Sequence, residues 1–195
     1  MLLGSHNSWS YIRPSKWWMR LFAFTARCQS KSIVEQYEEY GVRCFDLRFR
    51  YLDGEAHIVH NYMDYGKFWG DNSDIVSWLN DKKDVKIRLI HDVRTKNQYD
   101  IDNVNRFKKD CKKLEELFPN IQFWCGQNLY NREVEYEFDY KPYAVEKYSS
   151  VCPPKIIDDW FPWIYAKLNN KKIYQQYPIN NNEETILLID FVNIK

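Results

Sequence analysis

Short apolar runs alternate with helix-period patterns through most of the chain. Leu2 and Leu3 open it on a first strand. Ser32 and Glu35 form a capping box ahead of a helix whose apolar face includes Ile33, Val34, Tyr37 and Tyr40 and whose stop is Gly41. Val42 to Phe49 then reads as a second strand and Ala56 to His60 as a third. A helix with Ile75, Val76, Trp78 and Leu79 on one side follows, then a strand from Val85 to His91. Ile101, Val104, Phe107, Cys111, Leu114 and Leu117 recur at steps of three and four, the signature of a long amphipathic helix, and Ile121 to Cys125 is another strand. From 128 to 150 the pattern weakens into polar, Tyr-rich sequence, and Cys152-Pro153-Pro154 breaks the chain. Asp158 to Leu168 reads as helical around Pro162. Thr185 to Val192 closes as an apolar run interrupted by Asp190, the pattern of a buried strand.

Strands alternating with helices predict an α/β fold with a parallel sheet. Periodicity alone does not choose between an open sheet and a closed (β/α) barrel. At 195 residues the chain sits at the lower limit for a complete eight-stranded barrel, so some helices would be short or missing. No internal repeat or Gly/Ser linker divides it, and residues 1–195 are read as a single domain.

Composition narrows the function classes. Lys and Arg total 28 against 27 Asp and Glu, a net charge of +1, which offers no global attraction to nucleic acid. No run approaches the roughly 18 apolar residues of a membrane-spanning helix. The start, Met1-Leu2-Leu3-Gly4-Ser5-His6, has no signal-peptide pattern, so a cytoplasmic location is expected; a monomer is a separate expectation. Five cysteines, Cys28, Cys44, Cys111, Cys125 and Cys152, are odd in number and lack metal-ligand spacing. They read as reduced core thiols. Aromatic residues reach 17%, enough for a large core and an amphipathic ligand surface besides.

Three of the four histidines lie beside polar residues at predicted strand ends: His6 in Gly4-Ser5-His6-Asn7-Ser8, His60 in Ile58-Val59-His60-Asn61, and His91 in Leu89-Ile90-His91-Asp92. Parallel α/β folds build their sites at that edge. An imidazole titrating near neutrality can serve there as base or acid; each can equally cap a strand or pack. On the second strand, alternation places Asp46, Arg48 and Arg50 on one side and Phe45, Leu47 and Phe49 on the other. In a barrel, such inward charges line a polar mouth where Asp46 fixes the Arg48 guanidinium against an anionic ligand; in an open sheet they form a solvated face. Asp190 is the one charge in its strand and needs a partner if buried. Barrel closure would set the last strand beside the first, with Asp190 in reach of His6 as a base-orienting acid.

These residues, with Cys28-Gln29-Ser30 through Ile33 and Gln36, with Gly41-Val42-Arg43-Cys44-Phe45-Asp46-Leu47-Arg48, and with Ile189-Asp190-Phe191-Val192-Asn193, resemble the catalytic X domain of phosphatidylinositol-specific phospholipase C. The resemblance covers the first 60 residues and the last strand; the middle matches in element rhythm. It implies a compact, distorted TIM-type barrel that cleaves the phosphodiester between diacylglycerol and inositol. His6 matches the general base that activates the inositol 2-hydroxyl, His60 the general acid, and Asp190 the acid that orients His6. Arg48 matches the phosphate-binding arginine of the metal-independent bacterial branch, and Asp46 its neighbouring acid. Asn7 and His91 stand as substrate contacts, with Asp92, Arg94 and Gln127 as further positional candidates.

The sequence departs from the bacterial pattern at Asn7, where aspartate is usual, and at Asn61, where glycine is frequent. The calcium-dependent branch has an amide ligand at the position of Asn7 and carboxylates on the second strand. Calcium at Asn7 and Asp46 is therefore the alternative to a metal-free site. Arg48 puts a fixed cation where the next acid is expected, and Arg88 or His91 occupies the fourth-strand region, which favours the site without metal.

Lys16-Trp17-Trp18-Met19-Arg20-Leu21-Phe22-Ala23-Phe24 joins aromatics to flanking cations. It either lies in a headgroup layer, with Trp17 and Trp18 as peripheral membrane contacts, or covers the barrel end. Trp160-Phe161-Pro162-Trp163-Ile164-Tyr165 is a second aromatic cluster. Two other functions fit parts of the sequence. A metal-dependent glycerophosphodiester phosphodiesterase needs an acid where Arg48 stands. A catalytically silent phosphoinositide-binding module would not require His6, His60 and Asp190 together.

Overall fold

The computed structural model describes residues 2–70, 72–93, 100–129, 132–135, 144–147, 161–177, 179 and 185–194. Cys152-Pro153-Pro154, Trp160 and Arg94 lie outside them. The first half contains strand β1 (Leu2–Ser5), helices α1 (Trp17–Leu21) and α2 (Ile33–Glu38), strands β2 (Cys44–Leu52), β3 (Glu55–His60) and β4 (Met63–Lys67), and helix α3 (Asp74–Asn80). Strand β5 (Lys86–Val93), helix α4 (Ile101–Leu117), strands β6 (Gln122–Leu129), β7 (Arg132–Glu135) and β8 (Ala144–Lys147), helix α5 (Pro162–Gln176) and strand β9 (Thr185–Ile189) complete it.

The sheet runs β7-β6-β5-β2-β1-β9-β8, with β3 and β4 branching from β2. Pairing is parallel from β6 to β8 along this path. The last strand does lie beside the first, Leu2 to Ser5 facing Ile186 to Ile189. A complete TIM barrel is not formed among the described residues: β7 and β8 end the path, and the sheet is a curled half-barrel.

The curl is visible in what packs inside it. Leu2, Cys44, Trp124, Ile186 and Leu188 form one buried cluster, although β6, which carries Trp124, is four places from β9 along the sheet. Gly4 permits this close approach: a Cβ there would meet Leu188 Cδ2 at 2.5 Å and Ile186 Cγ2 at 2.9 Å. The larger core lies on the other side, between the sheet and its helices. Phe45, Leu47 and Phe49 of β2 and Ile87 and Leu89 of β5 pack there with Phe107, Cys111 and Leu114 of α4. The alternation in β2 thus sorts apolar side chains outward to the helices and charged ones inward.

Local signals set most boundaries. Ser32 and Glu35 make the reciprocal capping box, Ser32 Oγ accepting from the Glu35 N–H and the Glu35 carboxylate from the Ser32 N–H. In the second half, α5 starts at Pro162, whose missing N–H is tolerated in the first turn. Asp53 and Gly54 take φ of 51° and 80°, joining β2 to β3 as a tight hairpin with Leu52 opposite Glu55. The third strand is therefore antiparallel. His60 reaches the mouth of the curled sheet because the hairpin doubles back, not because a parallel strand ends there.

Candidate active site

The interior of the curl is layered. Above the apolar cluster, Asp46 of β2 and Arg88 of β5 stand opposite each other, as their register requires. Arg88 Nη1 donates to Asp46 Oδ1 at 3.1 Å, and Arg48 Nε donates to Asp46 Oδ2 at 3.0 Å. The Asn7 backbone N–H donates to Oδ2 as well, at 3.0 Å. All three charged side chains are buried, so one carboxylate balances two guanidinium groups in a region of low polarisability. One turn of the alternation further up, Arg50 Nε donates to the Asp92 carbonyl at 3.0 Å, and its Nη2 to the Asn61 carbonyl at 3.0 Å.

At the mouth, the backbone N–H of His6 extends the β1–β9 ladder by donating to the Ile189 carbonyl at 2.9 Å. This sets the His6 ring beside Asp190, Nδ1 lying 2.8 Å from Oδ1. On the other side, Arg48 Nη2 donates to His6 Nε2 at 2.9 Å. The two partners assign the tautomer: a guanidinium can only donate, so Nε2 is the acceptor and Nδ1–H points to the carboxylate. The imidazole is oriented from both sides, with Nε2 beside a fixed cation.

His60 faces it, with ring centroids 5.6 Å apart and planes at 89°. Its Nδ1 lies 2.8 Å from the Ala26 carbonyl, an acceptor, which fixes Nδ1 as N–H and leaves Nε2 as the nitrogen for proton transfer. Cys28 Sγ stands 3.8 Å from His60 Nδ1.

The segment around Cys28 braces this arrangement. Gln29 Nε2 donates to the carbonyls of His6 and Ile189 at 3.1 and 2.9 Å, while its Oε1 accepts from the Val192 N–H at 3.2 Å. Asn170 of α5 donates to the Asp190 carbonyl at 2.9 Å. The sequence assigns no site role to Gln29 or Asn170, and it brings in Arg88 only as a cation in the fourth-strand region, not as a partner of Asp46. For Arg88 the signal was present, since Lys86, Arg88, Ile90 and Asp92 alternate with Ile87, Leu89 and His91.

The structure thus brings together His6, Asp46, Arg48, His60 and Asp190. It does not bring His91 to them. His91 points to the helix side of β5, stacks on Phe107 of α4 with centroids 5.3 Å apart, and meets Tyr51 edge-on. Its placement as a substrate contact is corrected on that ground. Burial, with the Arg50 charge adding to it, pushes its imidazole down to about 4. Between that value and the unfolded one near 6.5, the unfolded chain binds a proton that the folded one refuses, so stability falls as pH drops through this window. The loss approaches about 3 kcal/mol at its acid end. His91→Phe keeps the ring stack and should flatten the fall in urea midpoint between pH 7 and pH 4; an unchanged slope would show that other groups set it.

Asn7 takes φ of 45° next to His6, and its side chain is fully buried. Neither amide atom has a hydrogen-bond partner among the described residues, so its observed contribution is the N–H on Asp46. Trp17 and Trp18 are 72% and 45% exposed. The segment bearing them runs between His6 and Ala26 in sequence, and the Ala26 carbonyl at its end meets His60 Nδ1. Phe24 stacks on Phe161, which joins the two aromatic clusters at one point. Cys28, Cys44, Cys111 and Cys125 are free, buried thiols. No helix among the described residues is long and apolar enough to cross a membrane.

No family model matches the sequence, and no curated protein matches it either. Among solved structures, the phosphatidylinositol-specific phospholipase C from Listeria monocytogenes superposes with a TM-score of 0.55 over 97% of this chain and 87% of its own, at 16% identity. At that identity the likeness is one of fold: this chain has a fold similar to that of a bacterial phospholipase C.

Proposed function

We propose that the chain is a phospholipase C-type phosphodiesterase that cleaves phosphatidylinositol-type phosphodiesters by acid/base catalysis through a cyclic inositol phosphate. The observation that carries this reading is the ordered set Asp190, His6, Arg48 with His60 across from it, a base, its orienting acid, a cation and a second imidazole at one mouth. In the proposed first step, His6 Nε2 takes the proton of the inositol 2-hydroxyl as its oxygen attacks phosphorus. The bond from phosphorus to the glycerol oxygen breaks, and His60 supplies a proton to that oxygen. Asp190 stabilises the imidazolium formed on His6. Arg48, turned from His6 Nε2 toward the phosphoryl oxygens, offsets their negative charge, and Asp46 holds the guanidinium in place. Water then opens the cyclic diester with the two histidines in exchanged roles.

Calcium does not fit this donor set. Both oxygens of Asp46 already accept from Arg48, Arg88 and Asn7, and the two guanidinium groups stand where a divalent ion would have to sit. The same feature weighs against a glycerophosphodiester phosphodiesterase built on a carboxylate-rich metal site. The exposed Trp17 and Trp18 support peripheral contact with a lipid surface, which would present the diester to the mouth.

Phosphorus NMR of the protein with phosphatidylinositol micelles, once with excess chelator and once with calcium, tests the proposal. A cyclic inositol phosphate formed equally in both tubes is the expected result. Turnover only with calcium would overturn the metal-free mechanism. No turnover in either would overturn the substrate assignment and favour a binding module or another headgroup.

A further inference from the structure

Cys28 is not needed for the proposed acid/base chemistry, yet its thiol is buried against the reacting groups. One ligand atom from each of His6, Cys28 and Asp190 lies within 4.8 Å of the others, the one such group of three metal-ligating side chains found among the described residues. His60 borders the same space, its Nδ1 3.8 Å from the sulfur. A thiol, an imidazole and a carboxylate at this separation make a poor site for a hard cation that prefers all-oxygen ligands. They suit a borderline-soft ion that takes sulfur, nitrogen and oxygen together in a tetrahedron. Three protein ligands leave the fourth position to water, and His6, part-exposed at the mouth, gives an ion a way in.

We propose that His6, Cys28 and Asp190 form an inhibitory binding site for zinc or a similar soft divalent ion. The ion is bound by Cys28 Sγ, by His6 Nδ1 and by an oxygen of Asp190. On binding, the Cys28 thiol loses its proton to solvent and the sulfur–metal bond replaces the S–H bond. The His6 proton leaves Nδ1, the metal–nitrogen bond forms there, and Nε2 takes up a proton, so that the ring stays neutral. About one proton per ion is released overall.

The consequence follows from the tautomer. In the free protein Nε2 accepts from Arg48; in the loaded protein it is an N–H facing a guanidinium that can only donate. The nitrogen that would remove a substrate proton is then blocked, and Asp190 is drawn from its orienting role. Binding and catalysis exclude each other at His6. Arg48 and Arg88 lower the affinity of any cation nearby, whereas the thiolate and Asp190 together neutralise a divalent charge.

The test uses the chelator-stripped protein and the metals themselves. Cadmium titration should produce a thiolate-to-metal charge-transfer absorption that saturates at one ion per chain, and zinc should abolish it by competition. The band should vanish in Cys28→Ser and persist in Cys111→Ser, whose thiol lies under α4 in the core. Zinc affinity should drop at least about tenfold in Cys28→Ser. If that variant does not fold, X-ray absorption of the zinc-loaded wild type decides. One sulfur at about 2.3 Å with nitrogen and oxygen at about 2.0–2.2 Å is the expected shell. A shell without sulfur, a band that survives Cys28→Ser or is lost in Cys111→Ser, or absence of binding to the wild type would each overturn the site. None of these readouts depends on turnover, so they stand apart from the substrate assignment.

Discussion

His6→Ala and His60→Ala are each expected to lower turnover of a phosphatidylinositol substrate by about 10² to 10⁴-fold, the range typical for loss of one acid or base. The two losses should differ in kind. In the proposed mechanism His60 protonates the leaving oxygen, so a substrate whose leaving group departs without a proton should recover much of the rate in His60→Ala. The same substrate should do little for His6→Ala, because the hydroxyl still needs a base. Steady-state rates with natural and activated substrates, on variants shown to be folded by circular dichroism, give the comparison. Equal losses with no selective rescue would remove the assignment of base to His6 and acid to His60. The two rings differ in what holds them: His6 Nδ1 faces the Asp190 carboxylate, which favours an imidazolium once a proton is taken, whereas His60 Nδ1 faces the uncharged Ala26 carbonyl.

The largest effect on stability should come from Asp46. Its carboxylate is fully buried and is bonded to Arg48 Nε and Arg88 Nη1 at 3.0 and 3.1 Å. Asp46→Ala leaves two buried guanidinium groups without that counter-charge, and the expected loss is about 3–5 kcal/mol, a large part of the roughly 5–15 kcal/mol that holds an ordinary domain together. Removing Arg88 in the same background, as Asp46→Ala/Arg88→Met, should return part of the stability. It should not return turnover, because Arg48 stays unanchored. Urea unfolding of the two variants against wild type measures both effects. A change within about 0.5 kcal/mol for Asp46→Ala, the usual size for a surface substitution, would contradict the reading of this layer as a compensated charge cluster.

The capping box at Ser32 and Glu35, the long helix from Ile101 to Leu117 and the inward row Asp46, Arg48, Arg50 depend on neighbours a few residues away, and each could be read from periodicity. The pairing of β9 with β1, and with it the contact of Asp190 with His6, followed from the idea of a closing sheet even though the sheet is only a curled half-barrel among the described residues. Strand β4 was missed because Met63-Asp64-Tyr65-Gly66-Lys67 carries no clear alternation, and its pairing with β3 is a tertiary fact. His91 was misplaced by giving weight to residue type over phase: it shares its face of β5 with Ile87 and Leu89, and that face meets α4.

Although Val34, Ile101 and Leu117 of the expected apolar faces are exposed, the order of residues carries the element rhythm, the buried stripes of α3 and α4, the sorting of β2 into a charged and an apolar side, and the residue types able to act as acid or base. Those are properties of local spacing, and local spacing is written in the chain. Only the tertiary structure decided which of those residues share a mouth. His60 arrives there by a hairpin that reverses direction, Arg88 joins Asp46 through the register of two parallel strands, and Cys28 meets His6 and Asp190 across separations of 22 and 162 residues. Contacts of that kind depend on how far the sheet curls, and the curl is set by packing between strands distant in sequence, which no single segment encodes.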